Sequence, residues 1–253
     1  MNSVFSKQFS QLKNEILDII KNFKNSGTLI GPGARNVVKF FEIDGNKYNF
    51  KSFKQHNFIN RHVYKYYRKS KARRSYKYAN ILLSKGYYTP NPIAYIEFFD
   101  FWGLTSSYYV SEQLDNCFPL SDALFNPQFS DRENIFKAYT DLIYNLHESG
   151  IEFIDNASGN FLIKKCDGNY KFYLVDLNRI NFHENFPLEK RFKNFARLTT
   201  SPEIIKIIAD EYASLSGNAS DFCYKKIVET TSQKARKNKI KKILKFYKYF
   251  LKK

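Results

Sequence analysis

Residues 146–179 read LHESGIEFIDNASGNFLIKKCDGNYKFYLVDLNR, and this stretch decides the fold. Asp155 is followed five positions later by Asn160. FLI (161–163) has the character of a short strand. DGN (167–169) is a hairpin turn, and the apolar run FYLV (172–175) is a second strand with Asp176 at its end. Apolar spacing upstream predicts a helix over residues 135–148. Phosphoryl transfer from ATP needs this set of groups. One carboxylate takes or orients the acceptor's hydroxyl proton. An amide oxygen and a second carboxylate hold Mg²⁺ on the phosphates.

The order Asp, four residues, Asn, two short strands, Asp is that of protein kinases. Leu146-His147 stands where kinases carry a Leu-His pair ahead of the catalytic loop. The chain upstream agrees. Thr28–Ile30 is a short strand leading into GPGARN. VVKFFEI and KYNFKSFK then form a hairpin with Asp44-Gly45 at its tip. Residues 58–85 read as helix, TPNP (89–92) breaks the chain, and IAYIEFF and SSYYVSEQL follow as strands. Beyond Asn116 the pattern is helical apart from residues 151–179. The expected fold is therefore α+β and protein-kinase-like, with a small β-rich N-lobe over 27–115 and a mainly helical C-lobe over 116–230. In that frame Gly31 and Gly33 form the turn over the nucleotide phosphates, where backbone N–H groups approach closely. Alternation along the returning strand places Asn49, Lys51 and Phe53 on one face, making Lys51 the lysine for the α- and β-phosphates and Lys54 its competitor.

These residues resemble the lipopolysaccharide kinase (Kdo/WaaP) family. The resemblance is carried by FKSFK (50–54), SKARRSYKYANILLSKGYYTPNPIAYIE (70–97), SYYVSEQL (107–114), LHESGIEFIDNASGNFL and VDLNR, and it spans roughly 27–185. It implies ATP-dependent phosphorylation of an inner-core lipopolysaccharide sugar, Kdo or heptose, on the cytoplasmic face of the inner membrane. It implies Asp155 as the catalytic carboxylate, Asn160 and Asp176 as Mg²⁺ ligands, and Lys51 as the nucleotide lysine. The acceptor partner would be the lipopolysaccharide core or its lipid A precursor.

Three positions depart from protein kinases. Phe153-Ile154-Asp155 replaces His-Arg-Asp, as suits an enzyme without a regulated activation loop. Asp176-Leu177-Asn178 replaces Asp-Phe-Gly, removing a flexible glycine. Ser75 stands where a helix glutamate would pair the lysine, so either Glu97 or another acid positions Lys51, or the lysine is held otherwise. This third departure motivates an alternative: a catalytically inactive kinase-like module that binds anionic membrane or nucleic acid.

Charge bears on the choice. The 253 residues carry 41 Lys+Arg against 24 Asp+Glu, a net charge of +17, and such a field attracts anions. Between Asp44 and Glu97 there is no acid, while lysines and arginines alternate with Tyr64, Tyr66, Tyr67, Tyr76 and Tyr78. Basic groups among aromatics suit single-stranded nucleic acid and an anionic glycolipid equally well. Residues 146–179 favour the glycolipid, and no nucleic-acid partner is expected. An acidic acceptor site, usual for soluble sugar kinases, does not match this charge.

The ends suggest helices. Phe5, Phe9, Leu12, Ile16, Ile19, Ile20 and Phe23 recur at helical spacing, predicting an amphipathic helix within 1–26. Residues 231–253 have no acid, and Ile240, Ile243, Leu244, Tyr247, Phe250 and Leu251 share a helical face. That is the form of a basic amphipathic helix lying on an anionic membrane. No run of 18 apolar residues and no secretory h-region is visible. Cys117, Cys166 and Cys223 are too scattered for a disulfide or metal framework. A protein peripheral on the cytoplasmic face of the inner membrane is the expectation.

Overall fold

The computed structural model describes residues 1–31, 36–53, 61, 63–64 and 67–250. Gly33 and Lys54 lie outside the described residues. The chain divides into two compact units, Met1–Asn116 with Tyr173–Arg179, and Cys117–Phe172 with Ile180–Lys253.

The first unit is built on an antiparallel six-stranded sheet. Its strands are β1 (Asn2–Phe5), β2 (Thr28–Ile30), β3 (Asn36–Ile43), β4 (Asn46–Phe53), β5 (Pro92–Asp100) and β6 (Gly103–Glu112), in the order β1-β5-β6-β4-β3-β2. The β3–β4 hairpin turns at Asp44 (φ 50°) and Gly45 (φ 74°), both left-handed as a two-residue turn between twisted strands requires. One face of the sheet is covered by the N-terminal segment. Phe9, Leu12, Ile16, Ile20 and Phe23 are buried against Phe41, Tyr48, Phe50, Ala94 and Val110. Each such side chain contributes on the order of 2 kcal/mol by leaving water.

That segment differs from the single helix expected. Residues 2–5 form β1 on β5, 7–12 a 3₁₀ turn, and only Lys13–Lys21 an α-helix, α1. The apolar spacing reported the buried face correctly. The edge of β5 captured the first residues as strand because pairing satisfies backbone groups there. Lys39 Nζ donates to the Phe23 and Ser26 carbonyls, each at 2.7 Å, holding the turn between α1 and β2.

The other face of the sheet meets α2 (Lys71–Ser84), shorter than the helix expected over 58–85. Ser70 caps it, accepting from the Arg73 N–H at 3.0 Å. Ala72, Ser75, Ala79 and Leu82 form its buried stripe, so Ser75 looks into the sheet.

The second unit is mainly helical. Its helices are α3 (Leu120–Phe125), α4 (Arg132–Glu148), α5 (Leu188–Asn194), α6 (Pro202–Ser216) and α7 (Ser220–Phe250). Short strands accompany them: β7 (Phe118–Pro119) pairs with β9 (Phe161–Cys166), and β8 (Ile151–Phe153) pairs with β11 (Ile180–Phe182). β7, β8 and β11 were not expected; two- and three-residue strands carry no periodic signal. β10 (Asn169–Leu174) follows β9 through Asp167 (φ 47°) and Gly168 (φ 80°). Aromatic side chains fill the core, with Tyr139, Phe153, Phe161, Phe192, Phe195 and Tyr212 essentially inaccessible. α7 is one continuous helix from Ser220, with no break at residue 231. Cys223, Ile227 and Thr231 are buried, whereas Ile240, Ile243, Leu244 and Phe246 are all exposed.

Candidate active site

In the second unit the loop carrying Asp155 is clamped at both ends. Phe153 before it and Phe161 after it meet edge to face, 5.5 Å between centroids, and Phe161 meets Tyr139 of α4 at 5.2 Å. Inside the loop the Ala157 N–H donates to the Asp155 carbonyl at 2.7 Å, and the Asn160 N–H donates to the Ala157 carbonyl at 2.9 Å. Asn160 Nδ2 also donates to the Asp155 carbonyl, at 2.8 Å. That bond orients the amide and leaves Oδ1 as the atom able to ligate a cation.

Beneath the loop lies a buried polar network. Tyr139 Oη donates to Asn156 Oδ1 at 2.7 Å, and Asn156 Nδ2 donates to the Asn194 carbonyl at 3.1 Å. Asn194 Nδ2 donates to the Phe153 carbonyl at 2.8 Å. His147 lies 3.1 Å from both Asn194 Oδ1 and Tyr212 Oη. Burial lowers the His147 pKa to about 4, against a small opposing pull from its Asn194 bond. The ring is therefore neutral near pH 7. Its partners set the tautomer: Nε2–H donates to Asn194, and Nδ1 accepts from Tyr212. The histidine of the Leu-His pair is thus a strut for the loop, bonded to Asn194 and Tyr212.

Gly150 lies in the turn between α4 and β8. It has φ 69°, and a Cβ there would stand 2.1 Å from the His183 carbonyl oxygen. Only glycine accommodates both conditions.

A residue that the sequence did not single out completes this half. Arg197, at the end of a 3₁₀ turn (Phe195–Arg197), places Nη1 2.7 Å from Asp155 Oδ1. The Asp155 loop carries no cation of its own, and the guanidinium supplies one from 42 positions downstream. An isolated arginine in a helical region offers no sequence signal for such a role.

In the first unit Lys51 Nζ lies 2.6 Å from Asp176 Oδ1. The acid that positions Lys51 is therefore Asp176, and Glu97 is not involved. Glu97 is buried and accepts from Asn2 Nδ2 at 3.0 Å, tying β1 to β5. Lys51 stands beside Tyr109 in the register, with Tyr109 beside Tyr95, a row on the α2 face of the sheet. Lys71, in the first turn of α2, joins it. Both ammonium groups lie near the Phe53 ring, at 5.5 Å for Lys51 and 6.0 Å for Lys71. The Lys71 pKa is lowered, chiefly by burial, while Asp176 pulls it upward.

Asp176 sits two residues past β10 at φ 60°, a left-handed conformation uncommon for non-glycine residues. The segment is held from before and after. The Leu174 N–H donates to the Tyr88 carbonyl at 3.0 Å, and the Leu174 carbonyl accepts from Thr89 Oγ1 at 2.8 Å. Asn178 Nδ2 donates to Asp176 Oδ1 at 2.6 Å. TPNP thus serves as an anchor for the Asp176 turn.

Among the described residues no three His, Cys, Asp or Glu side chains converge as a metal site. Mg²⁺ uses one or two carboxylates, phosphate oxygens and water in preference to an all-protein cage. Asp176 and the oriented Asn160 amide are hard oxygen donors of the right type. Gly31 has φ 73°, and a Cβ there would meet nothing within 4 Å among the described residues.

Comparison with known proteins decides the family. The model of the lipopolysaccharide kinase (Kdo/WaaP) family matches residues 21–217. The chain belongs to this family. No curated protein matches. Among solved structures, one described as WaaP in complex with acyl carrier protein is similar, with a TM-score of 0.63. Identity is 17%, over 94% of this chain and 98% of that one. At that identity the likeness speaks for a shared fold. The family is one of lipopolysaccharide kinases, and kinase chemistry implies ATP use.

Proposed function

We propose that this protein is an ATP-dependent kinase that phosphorylates a hydroxyl of an inner-core lipopolysaccharide sugar, Kdo or heptose, at the cytoplasmic face of the inner membrane. The two units would then be the small and large lobes of a kinase-like fold, with the chain passing from one to the other near residue 116. The observation that carries this reading is the Asp155 loop. Asn160 is oriented by the Asp155 carbonyl, and the Asp155 carboxylate is held by Arg197.

ATP with Mg²⁺ supplies the transferable γ-phosphoryl group. Asp155 receives the proton of the acceptor hydroxyl as the new P–O bond forms and ADP departs. Asn160 Oδ1 in the second unit and the Asp176 carboxylate in the first are the residues that would hold Mg²⁺; Lys51 would engage the α- and β-phosphates, and Lys71 would add a second positive charge. Gly31 lets the backbone approach the phosphates, with Gly33 expected to do the same. Residues 236–244 of α7, exposed, basic and partly apolar, suit adsorption to an anionic leaflet. No helix among the described residues is long and apolar enough to cross a membrane.

The test is incubation with ATP, Mg²⁺ and Kdo-bearing lipid A, followed by mass spectrometry of the lipid. Gain of one phosphate is expected. No gain on Kdo- or heptose-bearing acceptors would sink this reading.

A further inference from the structure

A cleft of about 520 Å³ opens in the second unit beside the catalytic loop. Ala157, two positions after Asp155, lines it, and so do Arg197, Thr199 and Thr200. Thr231 and Lys234 of α7 line it as well, and Leu124 and Phe125 add apolar surface. No acid is among its lining residues.

Thr231 is the decisive member. It is 4% exposed, and its Oγ1 is buried without a hydrogen-bond partner among the described residues. A mid-helix threonine commonly returns its hydroxyl to a carbonyl one turn back, as Thr140 does to Phe136 at 2.7 Å. Thr231 does not, and a buried hydroxyl left unpaired is unfavourable. A ligand oxygen reaching it would remove that penalty. Arg197 spends Nη1 on Asp155, but a guanidinium presents five N–H donors in a planar fork, so others remain for an oxyanion. Lys234 brings a second cation from one helical turn beyond Thr231.

We propose that this cleft seats an anionic substituent of the acceptor sugar, a phosphate or a carboxylate, with Arg197, Lys234 and Thr231 as its ligands. The proposal rests on the kinase function proposed for the Asp155 loop. Holding an acceptor by its charge next to Asp155 would place a neighbouring hydroxyl for reaction. Leu124 and Phe125 would offer apolar surface to the carbon face of the ring.

The test is calorimetric binding to the full chain, with Mg²⁺ and a non-hydrolysable ATP analogue saturating so that the nucleotide site is filled. The probes are core oligosaccharide in native, dephosphorylated and carboxyl-reduced forms. Native oligosaccharide should bind about ten-fold more tightly than the form lacking the recognised anion, as expected for charge-assisted hydrogen bonds. The form that loses affinity tells phosphate from carboxylate. Lys234→Met and Thr231→Val should each weaken native binding about three- to ten-fold and leave binding of the anion-free form unchanged. Lys234 is partly exposed, so its variant keeps the test valid even if Thr231→Val perturbs the helix. Equal affinity for all three forms, no binding of any, or equal loss on every form by Lys234→Met overturns the proposal. These readouts need no turnover. A wild type that binds as expected yet transfers no phosphate would refute the kinase function instead.

Discussion

Lys51 Nζ and Asp176 Oδ1 stand 2.6 Å apart although 125 positions separate them in the chain. Protein kinases pair the strand lysine with a helix glutamate, whereas here the corresponding helix presents Ser75 to the sheet and Lys71 to Asp176. One carboxylate therefore faces two lysines. Asp176→Ala should abolish Mg²⁺-dependent nucleotide binding, and Lys51→Met should lower kcat by about 10²-fold, the scale for removing one electrostatic contact to a transition state. Fluorescence titration of a nucleotide analogue with and without Mg²⁺ checks the first, and steady-state kinetics the second. Unchanged binding by Asp176→Ala would exclude its metal role.

Lys71 should matter to nucleotide affinity more than to folding. Lys71→Met should raise the KM for ATP several-fold and leave the melting temperature unchanged or higher, because a half-buried charge is removed. The lowered pKa of Lys71 adds a pH signature. Its positive charge is lost at lower pH than that of a free lysine. The wild-type KM should therefore rise on the alkaline side before ordinary lysines titrate, and Lys71→Met should flatten that rise.

Arg197 acts through Asp155. Arg197→Ala should reduce kcat about 10- to 100-fold with the KM for ATP unchanged, and Arg197→Lys should restore part of it. Asp155→Asn should abolish transfer while preserving ATP affinity and fold. A kcat for Arg197→Ala equal to wild type would remove Arg197 from the machinery, whatever its effect on acceptor KM.

His147 should make the fold acid-sensitive. Folded, it takes up a proton only near pH 4, whereas unfolded it does so near 6.5. Between those values the unfolded chain binds more protons, so stability is lost as pH falls from about 6.5 toward 4. The loss from this group amounts to about 3 kcal/mol at most. Urea denaturation across that range should show His147→Gln less stable at pH 7 but with a shallower acid dependence. Parallel curves for both proteins would contradict the buried-strut role.

The end of α7 should be dispensable for folding. Deleting residues 240–253 should leave the melting temperature within about 3 °C of wild type, the scale of a change near 1 kcal/mol. Ile240, Ile243 and Leu244 are exposed and have little packing to lose. Sedimentation with anionic liposomes should fall, more so at low salt, where the Debye length is longer. A large drop in melting temperature would instead mean that this helix end supports the fold.

Much of the site was legible in sequence because it is local. The five-residue step from Asp155 to Asn160 forces both into one loop, and Asp167-Gly168 returns the chain so that Asp176 follows. Asp44-Gly45 and the alternation in 47–54 likewise set a hairpin and the face that Lys51 occupies, since a two-residue turn leaves little freedom of register.

The pairings came only from tertiary structure. That Asp176 answers Lys51, that Arg197 answers Asp155, and that Thr231 and Lys234 reach the same cleft as Ala157 are contacts across tens of residues. Nothing in local spacing encodes them, because opposite charges attract wherever packing brings them together. Competition between elements was equally hidden. Phe5 shares helical spacing with Phe9 and Leu12, yet β5 offers an unpaired edge to residues 2–5, and satisfying those backbone groups outweighs propensity. Local chemistry thus determined which groups this protein carries and in what order. Packing of the sheet, α2 and the aromatic core decided which of those groups meet.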